Sequence, residues 1–111
     1  MSARVVAATT ADLAPAPLAA DQVVSGNPQV SALEILAEPA LEVGVWQHTA
    51  GVSTDVEAEE VFVVLSGRAT IEIDGGPVLQ VGPGDVGMLH AGERTRWTVH
   101  EDLRKVYVLR G

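Results

Sequence analysis

Few side chains in this 111-residue sequence are equipped for metal binding or acid–base chemistry. There is no cysteine, which excludes disulfides, thiolate metal sites and thiol nucleophiles. His48, Asp55, Glu57, Glu60 and His90 are competent ligands for a divalent ion, because imidazole nitrogens and carboxylate oxygens both suit transition metals. Their spacing follows no ligand pattern, so only a closed fold could gather a subset such as His48, Glu60 and His90. The simpler expectation puts His48 and His100 at strand ends facing solvent, with Asp55, Glu57 and Glu59 in a solvated acidic loop. Ser53 and Ser66 have no His-Asp pair nearby to activate them, and Gly82-Pro83-Gly84 opens no helix and carries no lysine. Nucleophilic catalysis and phosphate cradling are thus unsupported.

The other chemistry on offer is aromatic. Alternation places Thr95, Trp97 and Val99 on one face of a strand and Arg96, Thr98 and His100 on the other, while Trp46 shares a face with Gly44 and His48. A lining of Trp46, Phe62, Trp97 and Tyr107 would suit a small planar or amide-bearing ligand. Two tryptophans in a chain with 4% aromatic residues can equally be core filling.

The elements that must position these groups are strands. Valine, with 18 copies, is the commonest residue, and its branched β-carbon favours pleated, half-buried backbone over helix. From residue 30 onward, short alternating runs are punctuated by Gly, Pro, Asp and Asn, which predicts strands over 30–36, 42–49, 60–65, 68–73, 77–81, 85–89, 95–100 and 104–109. Ser66-Gly67 and Asp74-Gly75-Gly76 carry the signals of tight turns, and Gly82-Pro83-Gly84-Asp85 that of a corner. In 68–73, Ala69, Ile71 and Ile73 point one way and Arg68, Thr70 and Glu72 the other. Val61 to Leu65 is apolar on both faces, so it needs covering twice, and a second subunit is one candidate cover.

Residues 1–22 read as an arm, flexible or packed on a partner subunit. They are alanine-rich, Pro15 and Pro17 would interrupt a helix, and Val5-Val6 could at most add an edge strand. The net charge of −8 argues against nucleic acid or an anionic membrane as partner. No apolar run reaches the length of a membrane span and no secretory signal is evident, so cytoplasm is the expected location.

Glu60-Val-Phe-Val-Val-Leu-Ser-Gly67, then Gly84-Asp85, then His90-Ala91-Gly92, resemble the two motifs of the cupin superfamily. Gly44-Val45-Trp46, Trp97-x-Val99 and Arg104-Lys105-x-Tyr107 narrow the resemblance to small cupins similar to the (S)-ureidoglycine aminohydrolase cupin domain and the ethanolamine-utilisation cupin. It extends over about residues 23–110. It implies a single all-β domain over 23–111: a cupin jelly-roll β-barrel, or double-stranded β-helix, of two antiparallel sheets. It also implies a homodimer.

Departures from the family pattern matter more for function. Metal-binding cupins hold their ion with two histidines before the motif glutamate and a third after the second motif's turn. Here those places hold Ser53, Thr54, Asp55 and Val56, and then Thr95, so Glu60 alone remains of the four ligands, and His90 stands where the family has proline. No cofactor is expected; manganese, nickel, iron or zinc would need the unorthodox set His48, Glu60 and His90. The family register would point Glu60, Phe62 and Val64 into the barrel. A carboxylate in such an apolar mouth would have a raised pKa suited to proton transfer, unless it pairs with Arg94 or Arg96.

The first functional expectation is therefore the binding of a small polar metabolite, with Glu60 as anchor and catalytic candidate and with Trp46, Phe62, His90, Thr95, Trp97 and Tyr107 around it. One alternative is a metal-dependent aminohydrolase acting on a ureido compound, and another is a structural or accessory subunit with a filled barrel.

Overall fold

A computed structural model describes residues 3–111. Nine strands follow one another: β1 (Ala14–Pro15), β2 (Val23–Gly26), β3 (Val30–Glu38), β4 (Leu41–His48), β5 (Gly51–Val56), β6 (Glu59–Ile73), β7 (Val78–Val81), β8 (Val86–Leu89) and β9 (Arg94–Arg110). One turn of 3₁₀ helix, Ala20–Gln22, precedes β2. All strand pairings are antiparallel. No helix among the described residues is long and apolar enough to cross a membrane.

Two long strands build the barrel. β9 pairs along its length with β6, and the two together run through both sheets. At one end the order is β1-β3-β4-β9-β6-β8, and at the other β2-β5-β9-β6-β7. The pairing of β6 with β9 shifts register between Val64 and Ala69, where both strands bend from one sheet to the other. Ser66-Gly67 is therefore a bend within one strand, where a hairpin turn was expected. Gly67 supplies the positive φ of +85°, and a β-carbon there would come within 2.6 Å of the Leu103 Cα. Likewise 95–100 and 104–109 are one strand. Asp74-Gly75-Gly76 does reverse the chain between β6 and β7, closed by Gly76 N–H to the Ile73 carbonyl at 2.9 Å.

Inward alternation builds the core. Phe62, Val64, Ala69, Ile71, Ile73, Val81, Leu89, Trp97, Val99, Leu103 and Tyr107 form one buried cluster. Phe62 is fully buried, which alone contributes about 1.5–3 kcal/mol of hydrophobic stabilisation. Its ring lies over Gly87 of β8, the one residue type that leaves room for it.

Two expectations are corrected here. Asp55 belongs to β5, a strand too polar at Ser53, Thr54 and Asp55 to announce itself by alternation. Residues 4–15 lie along their own barrel: Arg104 Nη1 donates to the Ala8 and Ala11 carbonyls at 3.0 Å, Arg4 donates to the Ile35 carbonyl, and Ala14–Pro15 pairs with β3. Val5 stays exposed and outside any strand.

Candidate ligand-binding site

Antiparallel register decides what faces the barrel interior. Across β4 and β9, Gly44 pairs with Tyr107, Trp46 with Lys105 and His48 with Leu103, all inward. Across β6 and β9, Phe62 pairs with Tyr107 and Val64 with Lys105. Between these strands lies a cavity of about 260 Å³, lined by Glu42, Trp46, Ser53, Glu57, Glu60, Trp97, Lys105 and Tyr107 together with Leu18, Thr54, Asp55 and Leu109.

At its centre is a buried ion pair. Lys105 Nζ donates to Glu60 Oε2 at 2.7 Å, with both side chains no more than 7% exposed. The ammonium also lies 4.4 Å from the Trp46 ring centroid and 4.7 Å from those of Phe62 and Trp97, within the range of cation–π attraction. Trp46 meets Trp97 edge to face at 5.6 Å. Glu60 is thus inward as expected, but its partner is Lys105 in place of Arg94 or Arg96, and its surroundings are not simply apolar.

Glu57 is the second buried carboxyl. Its Oε2 accepts from Thr95 Oγ1 at 2.6 Å and from Trp97 Nε1 at 3.1 Å. Burial pushes its pKa upward against the pull of those two donors. It is the group best placed to carry a proton into the cavity, and it was expected in a solvated loop. At the mouth Tyr107 Oη donates to Glu42 Oε2 at 2.8 Å, and burial and that carboxylate together hold the phenol protonated. Gly44 makes this possible, since a β-carbon there would come 2.5 Å from the Tyr107 oxygen.

The histidines are not where a metal would need them. His48 is buried, 1% exposed, so it does not face solvent. Nδ1 lies 2.6 Å from the Thr49 carbonyl, which requires it to donate, and Nε2 lies 2.8 Å from Ser53 Oγ, from which it accepts. Burial lowers its pKa, so the ring is neutral with both nitrogens engaged. His90 is exposed, outside the cavity, and paired with Glu59 at 2.9 Å. The set His48, Glu60 and His90 therefore does not converge, and no group of three or more His, Cys, Asp or Glu among the described residues could hold a metal ion. With an ammonium 2.7 Å from Glu60, the donor set does not fit a divalent cation.

Of the other expected residues, Trp46, Trp97 and Tyr107 line the cavity. Phe62 lies beneath Lys105 without reaching the cavity wall, and Thr95 acts from behind by holding Glu57. Sequence reasoning missed Lys105, although it occupies the apolar parity of β9 with Leu103, Tyr107 and Leu109. A larger open groove of about 720 Å³ lies between the 3₁₀ turn and the β6–β7 turn.

These features can be set against known proteins. Residues 37–107 match the EutQ-like cupin domain. No curated protein matches. Among solved structures, the EutQ protein of Clostridium difficile is 21% identical, with TM-score 0.67, covering 81% of this chain and 75% of its own. A protein of unknown function from Pseudomonas syringae pv. tomato is 26% identical, with TM-score 0.79, over 89% of this chain and 44% of its own. Ectoine synthase from P. lautus is 19% identical, with TM-score 0.65, over 81% of this chain and 68% of its own. With a jelly-roll barrel built on β6 and β9, and with the family model spanning most of its length, the chain belongs to the EutQ-like cupin domain family.

Proposed function

We propose that the protein binds a small polar molecule in the barrel cavity without a metal ion, and that it acts as a homodimer. The observation that carries this reading is the open space of about 260 Å³ beside the buried Glu60–Lys105 pair. That volume is at or below the small end of ligand sites, which suits a compact metabolite. Its polar groups would meet Glu42, Glu57 and Glu60, and a planar part would lie against Trp46 and Trp97. A ureido aminohydrolase would need a metal that these residues do not gather, and a purely structural subunit would fill its barrel with side chains.

Dimerisation is supported by the outer face of β6 and β8, where Val61, Val86 and Met88 are 44–64% exposed. Glu59 and Arg110 lie at the edge of that patch, so a two-fold axis can set unlike charges opposite one another. Light scattering should return the mass of two chains for the native protein and of one for Met88→Glu. For the cavity, a metabolite library screened by thermal shift should yield a binder whose affinity falls at least about tenfold in Glu60→Gln, the loss expected for a hydrogen bond to a buried charge. Unchanged affinity would remove Glu60 from the site.

A further inference from the structure

Lys105 is the only lysine in the chain, and it stands where an ammonium is costly: facing inward on β9 between Leu103 and Tyr107, 5% exposed. Its surroundings are those of a receptor for an organic cation. Three of the chain's four aromatic side chains, Trp46, Phe62 and Trp97, place their rings 4.4–4.7 Å from Nζ, and one carboxylate oxygen completes the shell at 2.7 Å. Aromatic faces on several sides of a nitrogen cation are how free ammonium ligands are held. The carboxylate is Glu60, the one residue here that matches the metal-ligand pattern of other cupins.

We propose that the barrel contains an organic-cation site whose resident ligand is the chain's own lysine. Lys105 is a tethered ammonium, held by Glu60 and the three rings, and it stands in cis where a divalent ion would otherwise meet Glu60. A methionine at 105 would fill similar volume without the desolvation cost, so packing alone does not account for the charge. The tether has a chemical consequence. A covalently attached cation cannot dissociate or be chelated, so the charge beside Glu60 does not depend on metal supply. The inference shares the metal-independence of the functional reading above, but it concerns the cage itself and not the cavity's ligand.

Lys105→Ala should leave a slot shaped for a short primary alkylammonium. Propylammonium chloride titrated into Lys105→Ala is expected to raise its melting temperature saturably, while sodium chloride at equal ionic strength does not. Native protein and the double variant Glu60→Gln/Lys105→Ala are expected to show no such shift. A folded Lys105→Ala that ignores propylammonium, or a native protein that responds equally, would overturn the proposal.

If Lys105→Ala does not fold, labelling the native protein with [15N]lysine gives a single side-chain Nζ signal. That signal should be protected from exchange with water at neutral pH and should move in Glu60→Gln; an Nζ exchanging like that of free lysine would be fatal to the idea. Uptake of one zinc, nickel, iron or manganese ion per native chain would be equally fatal. None of these readouts uses the cavity's ligand, so an empty metabolite screen would weaken the proposed function and leave this inference standing; failure of the propylammonium or exchange test would overturn this inference alone, whereas metal uptake would overturn both.

Discussion

The two faces of β6 depart from the ordinary pattern in opposite senses. Inward, at Glu60, a charge is buried and paired with Lys105, and no buried side-chain nitrogen or oxygen among the described residues lacks a hydrogen bond. Outward, at Val61, an apolar side chain is 44% exposed beside the exposed Val86 and Met88. A buried polar group is tolerated when it is satisfied, whereas exposed apolar groups in a contiguous patch mark a surface that gains by being covered. On the reading proposed above, the difference gives the inside of the strand to ligand chemistry and the outside to assembly.

Breaking the inner side should cost most. Either Lys105→Met or Glu60→Gln should lower the unfolding free energy by about 3–5 kcal/mol, because the remaining partner is left buried without its counterpart. The double variant Glu60→Leu/Lys105→Met should recover much of that loss in urea titrations. If the single variants are as stable as native, the pair is solvated and the contrast collapses.

Gly87→Ala tests how closely β8 is held to the interior, since the new methyl group would enter the Phe62 ring. The expected loss is about 1–3 kcal/mol by overpacking. Its neighbour Met88, exposed on the opposite face, should behave differently. Met88→Glu should change the unfolding free energy of the monomer by no more than about 0.5 kcal/mol, and alter only the mass in solution.

The pH dependence sharpens the inner side further. Burial raises the Glu57 carboxyl above its ordinary 4.5, so the folded state binds that proton more tightly than the unfolded chain. The corresponding stability is whole below 4.5 and is lost as pH rises through the raised folded value. His48 has the opposite sign. Burial lowers its pKa below the ordinary 6.5, so its contribution is whole above 6.5 and is lost as pH falls through the lowered value. Glu57→Gln should flatten the first decline and His48→Gln the second, in unfolding free energies followed from pH 4 to 8. On the exposed outside, His90→Ala should leave the melting temperature unchanged, as expected for a surface pair with Glu59.

Much of the fold was legible because alternation is a local signal: Ala69, Ile71 and Ile73 turn inward as their spacing requires. Strand continuity was not, since Gly67 reads as a turn in isolation and becomes a bend only because β9 runs beside it. β5 was hidden by its polar residues, three of which, Ser53, Thr54 and Asp55, border the cavity. At the site, Glu60, Trp46, Trp97 and Tyr107 could be named from motif and parity, while Glu57 could not. Its burial depends on Thr95 and Trp97, 38 and 40 residues away in sequence. His90 misled because a metal-competent residue beside a motif carries no information about which side of the barrel wall it occupies.

The central position of β9 also sets a timetable. β4, β5 and β6 all pair with it, and Arg104 within it holds the carbonyls of Ala8 and Ala11. A chain made from its N-terminus exposes eight strands before the ninth is available, and β4 and β5 until then have only β3 and β2 beside them. Contacts this distant in sequence are slow to form and gain little from partial assembly. Barrel closure is therefore a single late event, and a ribosome-bound chain halted before residue 94 should still be open to protease.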